Sequence, residues 1–154
     1  MIVDALLALH GSITGNTVTG ANVFATNANV LSANTVDLGT TRDIGEGSDL
    51  YGRVEITTAV TGGTSVEFQF ITDSNANLNT TPVVIGTTGA IPVASLTPGA
   101  RFVCKLNPAL LTKGQQYLGM RAVNVGANTT GQAYADVGAE IADFKVYPSG
   151  FSVM

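Results

Sequence analysis

The sequence predicts an all-β chain, a jelly-roll-like β-sandwich with at most short helical turns. Three observations predict it. Thr, Val, Ala, Asn and Gly dominate the composition; Thr and Val favour strands, while Gly and Asn favour turns. Apolar and polar residues alternate through several short runs, the period of a half-buried strand. Turn-forming clusters separate those runs at the spacing of sandwich proteins.

In chain order, Gly11–Asn34 is almost chargeless and rich in Thr, Asn and Gly, with weak alternation around Ile13, Val18, Val23 and Val30. Two readings stay open for it: edge strands, or an arm that orders only on a partner. Leu50–Thr58 places Leu50, Val54 and Ile56 on one face and Tyr51, Arg53 and Glu55 on the other. Ser65–Asp73 turns Val66, Phe68 and Phe70 inward. With Gly62 and Gly63 between them, these two runs are expected to form a hairpin. Val83–Thr87 is a shorter strand. Arg101–Leu106 alternates Phe102, Cys104 and Leu106 with Arg101 and Lys105. Gln116–Val125 and Gly131–Phe144 complete the set, with Ala133, Ala135, Val137, Ala139 and Ile141 sharing a face. Helical turns are expected only at Met1–Leu9 and Pro108–Lys113, the latter capped by Asn107 and ended by Gly114.

The 154 residues suit one sandwich domain (1–154), with residues 1–34 as an N-terminal strand or arm and 145–154 as a tail. A chain of this size buries roughly 70% of its unfolded surface, enough for one core. Charged residues are only 12% of the chain, about half the usual share. That composition suits a protein that covers much of its surface with partners. Net charge is −4 and the seven basic residues are scattered, which argues against nucleic-acid binding. The apolar start Met1–Leu9 contains Asp4 and has no Lys or Arg before it, unlike a secretory signal. No run approaches the roughly 20 apolar residues of a membrane span.

Val36–Val54 reads VDLGTTRDIGEGSDLYGRV. It is followed by GGTSVEF at Gly62–Phe68, AIPVASLTPGAR at Ala90–Arg101 and KGQQYL at Lys113–Leu118, with MIVD at the start. This ordered set, from Asp37 to about Gly138, resembles a family of tailed-bacteriophage capsid cement (decoration) proteins, of the type on the Bordetella phage shell. The resemblance implies a jelly-roll subunit on the outside of an icosahedral, HK97-type capsid. It also implies a homodimer or homotrimer that bridges neighbouring capsomers and binds the major capsid protein. The chain departs from the family pattern in its longer Gly11–Asn34 stretch and its extended tail, Phe144–Met154.

The motif residues Asp37, Gly39, Arg42, Asp43, Gly45, Gly47 and Tyr51 read as a turn-rich connection. Its Asp side chains hold backbone N–H groups and its glycines supply positive φ. Asp37, Asp43, Glu46 and Asp49 are less dense than a Ca²⁺ loop and lack its spacing, and Arg42 and Asp43 are expected to pair with each other or with backbone. His10, the single histidine, is expected at solvent or an interface, since one histidine and one cysteine cannot make a zinc site. Cys104 falls on the core face and is expected to be inert. Asp136 and Glu140, about 13 Å apart along a strand, are too distant for a glycosidase pair and are expected to face solvent. There is no nucleophile elbow and no phosphate loop.

The expected function is therefore structural: a virion component on the outer capsid surface, not an enzyme, without cofactor or metal, and without membrane or nucleic-acid partners. Ile2, Val3, Phe24, Tyr147 and Phe151 are its expected apolar anchors. The competing reading is a carbohydrate- or receptor-binding sandwich on the virion, with Tyr51, Tyr117 and Tyr134 stacking sugars.

Overall fold

A computed structural model describes residues 7–14, 17–39, 49–107 and 115–139. The strands are β1 (Ala8–His10), β2 (Ser12–Thr14), β3 (Thr17–Thr19), β4 (Asn29–Leu31), β5 (Val36–Asp37) and β6 (Leu50–Gly62). They continue as β7 (Ser65–Asp73), β8 (Val83–Pro92), β9 (Arg101–Leu106), β10 (Tyr117–Val125) and β11 (Asn128–Gly138). One sheet has the order β1-β11-β6-β9; the other has the order β4-β10-β7-β8, with β5 also on β10. β4 and β5 are two pieces of one interrupted strand, paired with different stretches of β10. β2 and β3 make a small separate hairpin.

All these pairings are antiparallel, and they are nested. The outermost partners in sequence are β1 with β11, then β4 and β5 with β10, then β6 with β9, then β7 with β8. This is a long hairpin folded back on itself into two sheets, the jelly-roll arrangement. The all-β sandwich expected from the sequence is the fold observed.

The expected hairpin of Leu50–Thr58 with Ser65–Asp73 is not formed. β6 pairs with β11 and β9, whereas β7 pairs with β10 and β8. Gly62 and Gly63 do adopt positive φ (75° and 67°), as a tight turn demands. The turn nevertheless carries the chain from one sheet to the other, and the Thr64 N–H donates across to the carbonyl of Val125 at 2.8 Å. Alternation shows which side chains face inward. It does not distinguish strands lying edge to edge from strands facing each other across a core.

Other differences are local. β8 runs on to Pro92, and Ala8 and Leu9 are strand rather than helix. Pro108–Lys113 and the end of the expected last strand lie outside the described residues. Where described, Gly11–Asn34 is edge structure folded onto the sandwich. Ala21 exchanges backbone hydrogen bonds with Ala133 (2.9 and 3.0 Å), and Val23 and Phe24 are buried. A 3-10 turn, Val93–Ser95, lies between β8 and β9.

The core lies between the sheets. Val54, Ile56, Ala133 and Ala135 from the first sheet meet Val66, Phe68, Phe70, Met120 and Ala122 from the second, all with no exposed surface. Gly52 sits in β6 because a Cβ there would overlap the ring of Phe70. Outside the core, Asp73 organises the loop that follows β7. Its carboxylate accepts backbone N–H bonds from Asn75 (3.0 Å), Thr80 (2.9 Å) and Thr81 (3.1 Å). Burial alone would raise its pKa, but these donors and the Ser74 hydroxyl outweigh burial and hold it below the usual range. The loop swings Leu78 (φ 55°, buried) over Gly119, where a Cβ would collide with it.

Gly52→Ala should therefore destabilise the fold by about 1–3 kcal/mol through overpacking. Denaturant unfolding with an unchanged slope and a lowered midpoint would show it.

Candidate functional site

The described residues separate chemically along the strands. Residues 20–36, 56–66, 86–100 and 122–135 contain no Asp, Glu, Lys or Arg. The pairings gather the turns within these stretches, at 26–28, 62–64, 93–100 and 126–127, at one end of the sandwich. The chain enters β1, leaves β11 and makes its β5–β6 and β9–β10 connections at the opposite end.

The turn end is preformed. The Asn27 N–H donates to the Gly126 carbonyl (3.0 Å), and the Gly126 N–H donates to Asn27 Oδ1 (2.7 Å). Buried Asn124 donates to the carbonyls of Val23 (3.2 Å) and Ala28 (3.0 Å), while Asn128 donates to Asn124 Oδ1 (3.0 Å). Its surface offers Ala28, Thr64, Ala94, Pro98 and Ala127, with Val125 49% exposed. A surface without charges to desolvate can be covered by a partner at low cost.

The opposite end carries charge. Asp49 pairs with Lys105 Nζ (2.6 Å) and accepts the Tyr51 hydroxyl (3.3 Å). Asp37 accepts the Gly39 N–H (2.7 Å) and Gln116 Nε2 (2.9 Å), with Gly39 at φ 77°. The Gln116 and Gly39 bonds lower the Asp37 pKa. Of the motif residues, Asp37 holds the backbone N–H of Gly39, and Tyr51 donates to Asp49. Arg42, Asp43, Gly45 and Gly47 lie outside the described residues. Among the described residues no three His, Cys, Asp or Glu side chains group to hold a metal ion.

Several expected placements are corrected. Phe24 is buried against Gly131, where a Cβ would overlap its ring, so it anchors the N-terminal segment to the chain's own core. Ile2, Val3, Tyr147 and Phe151 lie outside the described residues. His10 is 3% exposed and hydrogen-bonded at both nitrogens, not at solvent. Asp136 is buried as well. Arg53 Nε donates to its Oδ1 at 2.7 Å, Arg53 Nη2 pairs with its Oδ2, and the Tyr134 hydroxyl donates to Oδ2 at 3.2 Å. Burial raises the Asp136 pKa against the pull of Arg53, and burial beside Asp136 raises that of Tyr134. This cluster lies on the outward face of β6 and β11, where period-two reading expects solvent. The signal for it, opposite charges directly across two strands, becomes readable only once Asp136 is known to face Arg53. The three tyrosines do not form one platform: Tyr134 is buried, Tyr51 is on the first sheet and Tyr117 on the second.

Cys104 faces Gly52 across β6 and β9 and is half-buried at the core margin. Burial raises its thiol from 9.0 to about 11.

With the geometry described, comparison places the chain. A family model described as Bbp16 matches residues 19–137, from the end of β3 to nearly the end of β11. The chain belongs to the Bbp16 family. The name is formed like that of a Bordetella phage protein and points to a structural protein of a phage. No curated protein matches the chain. The Bbp16 match spans the whole turn end and both members of the Arg53–Asp136 pair, whereas β1 and His10 precede it.

Two outcomes follow. Arg53→Met, which strands the buried Asp136, should cost about 3–5 kcal/mol, and Arg53→Met with Asp136→Leu should recover most of it; calorimetric unfolding of the three proteins checks both. Alkylation of Cys104 at pH 8 should run about a hundredfold slower in the folded than in the unfolded protein, because the raised pKa removes the reactive thiolate. Timed mass spectrometry reads the two rates.

Proposed function

We propose that this Bbp16-family chain is a capsid cement protein, binding the outside of an HK97-type phage shell as a homodimer or homotrimer and clamping neighbouring capsomers. The observation that carries the reading is a rigid jelly roll of a phage structural family with a charge-free, preformed turn end. A clamp needs contacts in two places. The turn end supplies one; the other is assigned to the opposite end, where the chain segments carrying Ile2, Val3, Tyr147 and Phe151 join the fold.

Each contact can be modest. About 800 Å² per partner makes a stable interface, and an oligomer held at one capsomer meets the next as an intramolecular event, so avidity multiplies. Selective binding to the expanded shell stabilises that state by mass action. The role requires no catalysis and no cofactor.

Purified protein added to expanded shells that lack it should bind and raise their heat resistance, and should leave unexpanded shells bare. Val125→Glu should cut shell affinity tenfold or more by burying an unpaired charge, with thermal unfolding of the free protein unchanged. A wild-type protein that leaves expanded shells unoccupied overturns the proposal.

A further inference from the structure

His10 closes β1 and is almost without solvent contact. Its Nδ1 accepts the backbone N–H of Ala33 at 3.1 Å. The proton therefore sits on Nε2, which donates to the carbonyl of Asn22 at 3.2 Å. One neutral ring thus joins three stretches: β1, the segment leading into Val23 and Phe24, and the excursion between β4 and β5. Asn34 completes the junction: its backbone N–H donates to the Leu9 carbonyl (2.9 Å) and its side-chain Nδ2 to the Ala8 carbonyl (3.4 Å).

Neutrality is built into this arrangement. Protonation at Nδ1 would point an N–H at the N–H of Ala33, and it would place a charge where burial already lowers the ring's pKa. The carbonyl of Asn22 pulls the other way without prevailing. No ionisable residue occurs in 11–14 or 17–36. β11, paired with β1, brings Tyr134 and Asp136, and Asp136 is engaged by Arg53 and by Tyr134.

We propose that His10 is an acid-operated latch: protonation in mild acid expels the ring from Ala33 and uncouples β1 from the Ala33–Asn34 excursion, while the sandwich behind it stays folded. His10 itself precedes the family match, while its partners Asn22 and Ala33 lie within it; the latch joins the N-terminal segment to the sandwich and stands apart from the cement reading.

Amide hydrogen exchange of the intact protein between pH 7.5 and 5, corrected for intrinsic rates, tests it. The open population at the Ala33 and Asn34 amides should rise by up to about tenfold per pH unit below about 6.5, with strand amides of β7 and β10 unchanged. His10→Asn, which offers Ala33 an acceptor that does not titrate, should abolish that rise. A rise that survives in His10→Asn overturns the latch and assigns the pH dependence to Asp136. If that variant fails to fold, the wild-type ring titration by NMR decides: a value below 6.5 together with the rise supports the latch. A value at or above 6.5, or protection constant across the range, overturns it.

Discussion

Everything in this fold depends on two backbone crossings packed side by side. Of the sheet changes that the nested pairing imposes, those after β6 and after β10 occur at the same place. Gly62–Thr64 and Gly126–Ala127 lie against each other so closely that a Cβ on Gly126 would crowd the backbone of Gly63 and Thr64. Backbone packed on backbone must satisfy its own polar groups. Here the Thr64 N–H, the Asn27–Gly126 exchange and the buried Asn124–Asn128 pair do so. Large or charged side chains have no room in such a junction. At Gly62, Gly63 and Gly126, where a Cβ would meet backbone or the Asn128 amide, the small residue is thus a requirement of folding.

That requirement also marks the boundary of what could be read from residues alone. Alternation placed Val54, Ile56, Val66, Phe68 and Phe70 inside, as they are, because facing inward is a property of one strand and its period. Which strand lies beside which depends on the whole closed arrangement. Gly62-Gly63, a good hairpin turn by local chemistry, serves here as a sheet-to-sheet crossing. The same limit hid the outward-facing buried groups. Arg53 and Asp136 are distant in sequence, and each alone reads as a solvent-facing charge; pairing β6 with β11 turns them into one ion pair. The burial of His10 escapes the sequence for a related reason: its two partners, Asn22 and Ala33, come from a stretch whose weak alternation does not fix the path of the chain. The candidate surface was partly legible: the chargeless stretches are plain in the sequence, but their convergence on one end is a property of topology.

The buried polar groups also address a weakness of this composition. A chain rich in Thr, Val and Ala offers many registers of similar energy, because slipping a strand exchanges one small residue for another. Groups that tolerate only one partner remove that freedom. Arg53 with Asp136 fixes β6 against β11. On the second sheet Arg121 donates to Gln69 Oε1 (2.9 Å), Gln69 donates to Glu67 (2.9 Å), and Thr87 donates to Glu67 (2.6 Å), crossing β10, β7 and β8. The buried pair adds little net stability, but a wrong register of β6 on β11 strands a charge, so it acts through the competing states; the half-exposed chain on the second sheet adds only the hydrogen bonds of the correct register.

A rigid block with fixed registers is what the proposed clamp between capsomers would require mechanically. Load applied at one end must reach the other without being absorbed by slippage. The long antiparallel pairs β6–β11 and β7–β10 run between the two ends, so force along the strands is carried by ladders of backbone hydrogen bonds acting together. The ends then differ in kind: one is backbone-packed, small and uncharged, while the other carries the Asp49–Lys105 ion pair and the exits of the chain. A block with unlike ends can distinguish two unlike neighbours, and on this argument the polarity of the sandwich, more than any single side chain, suits it to bridging within a lattice.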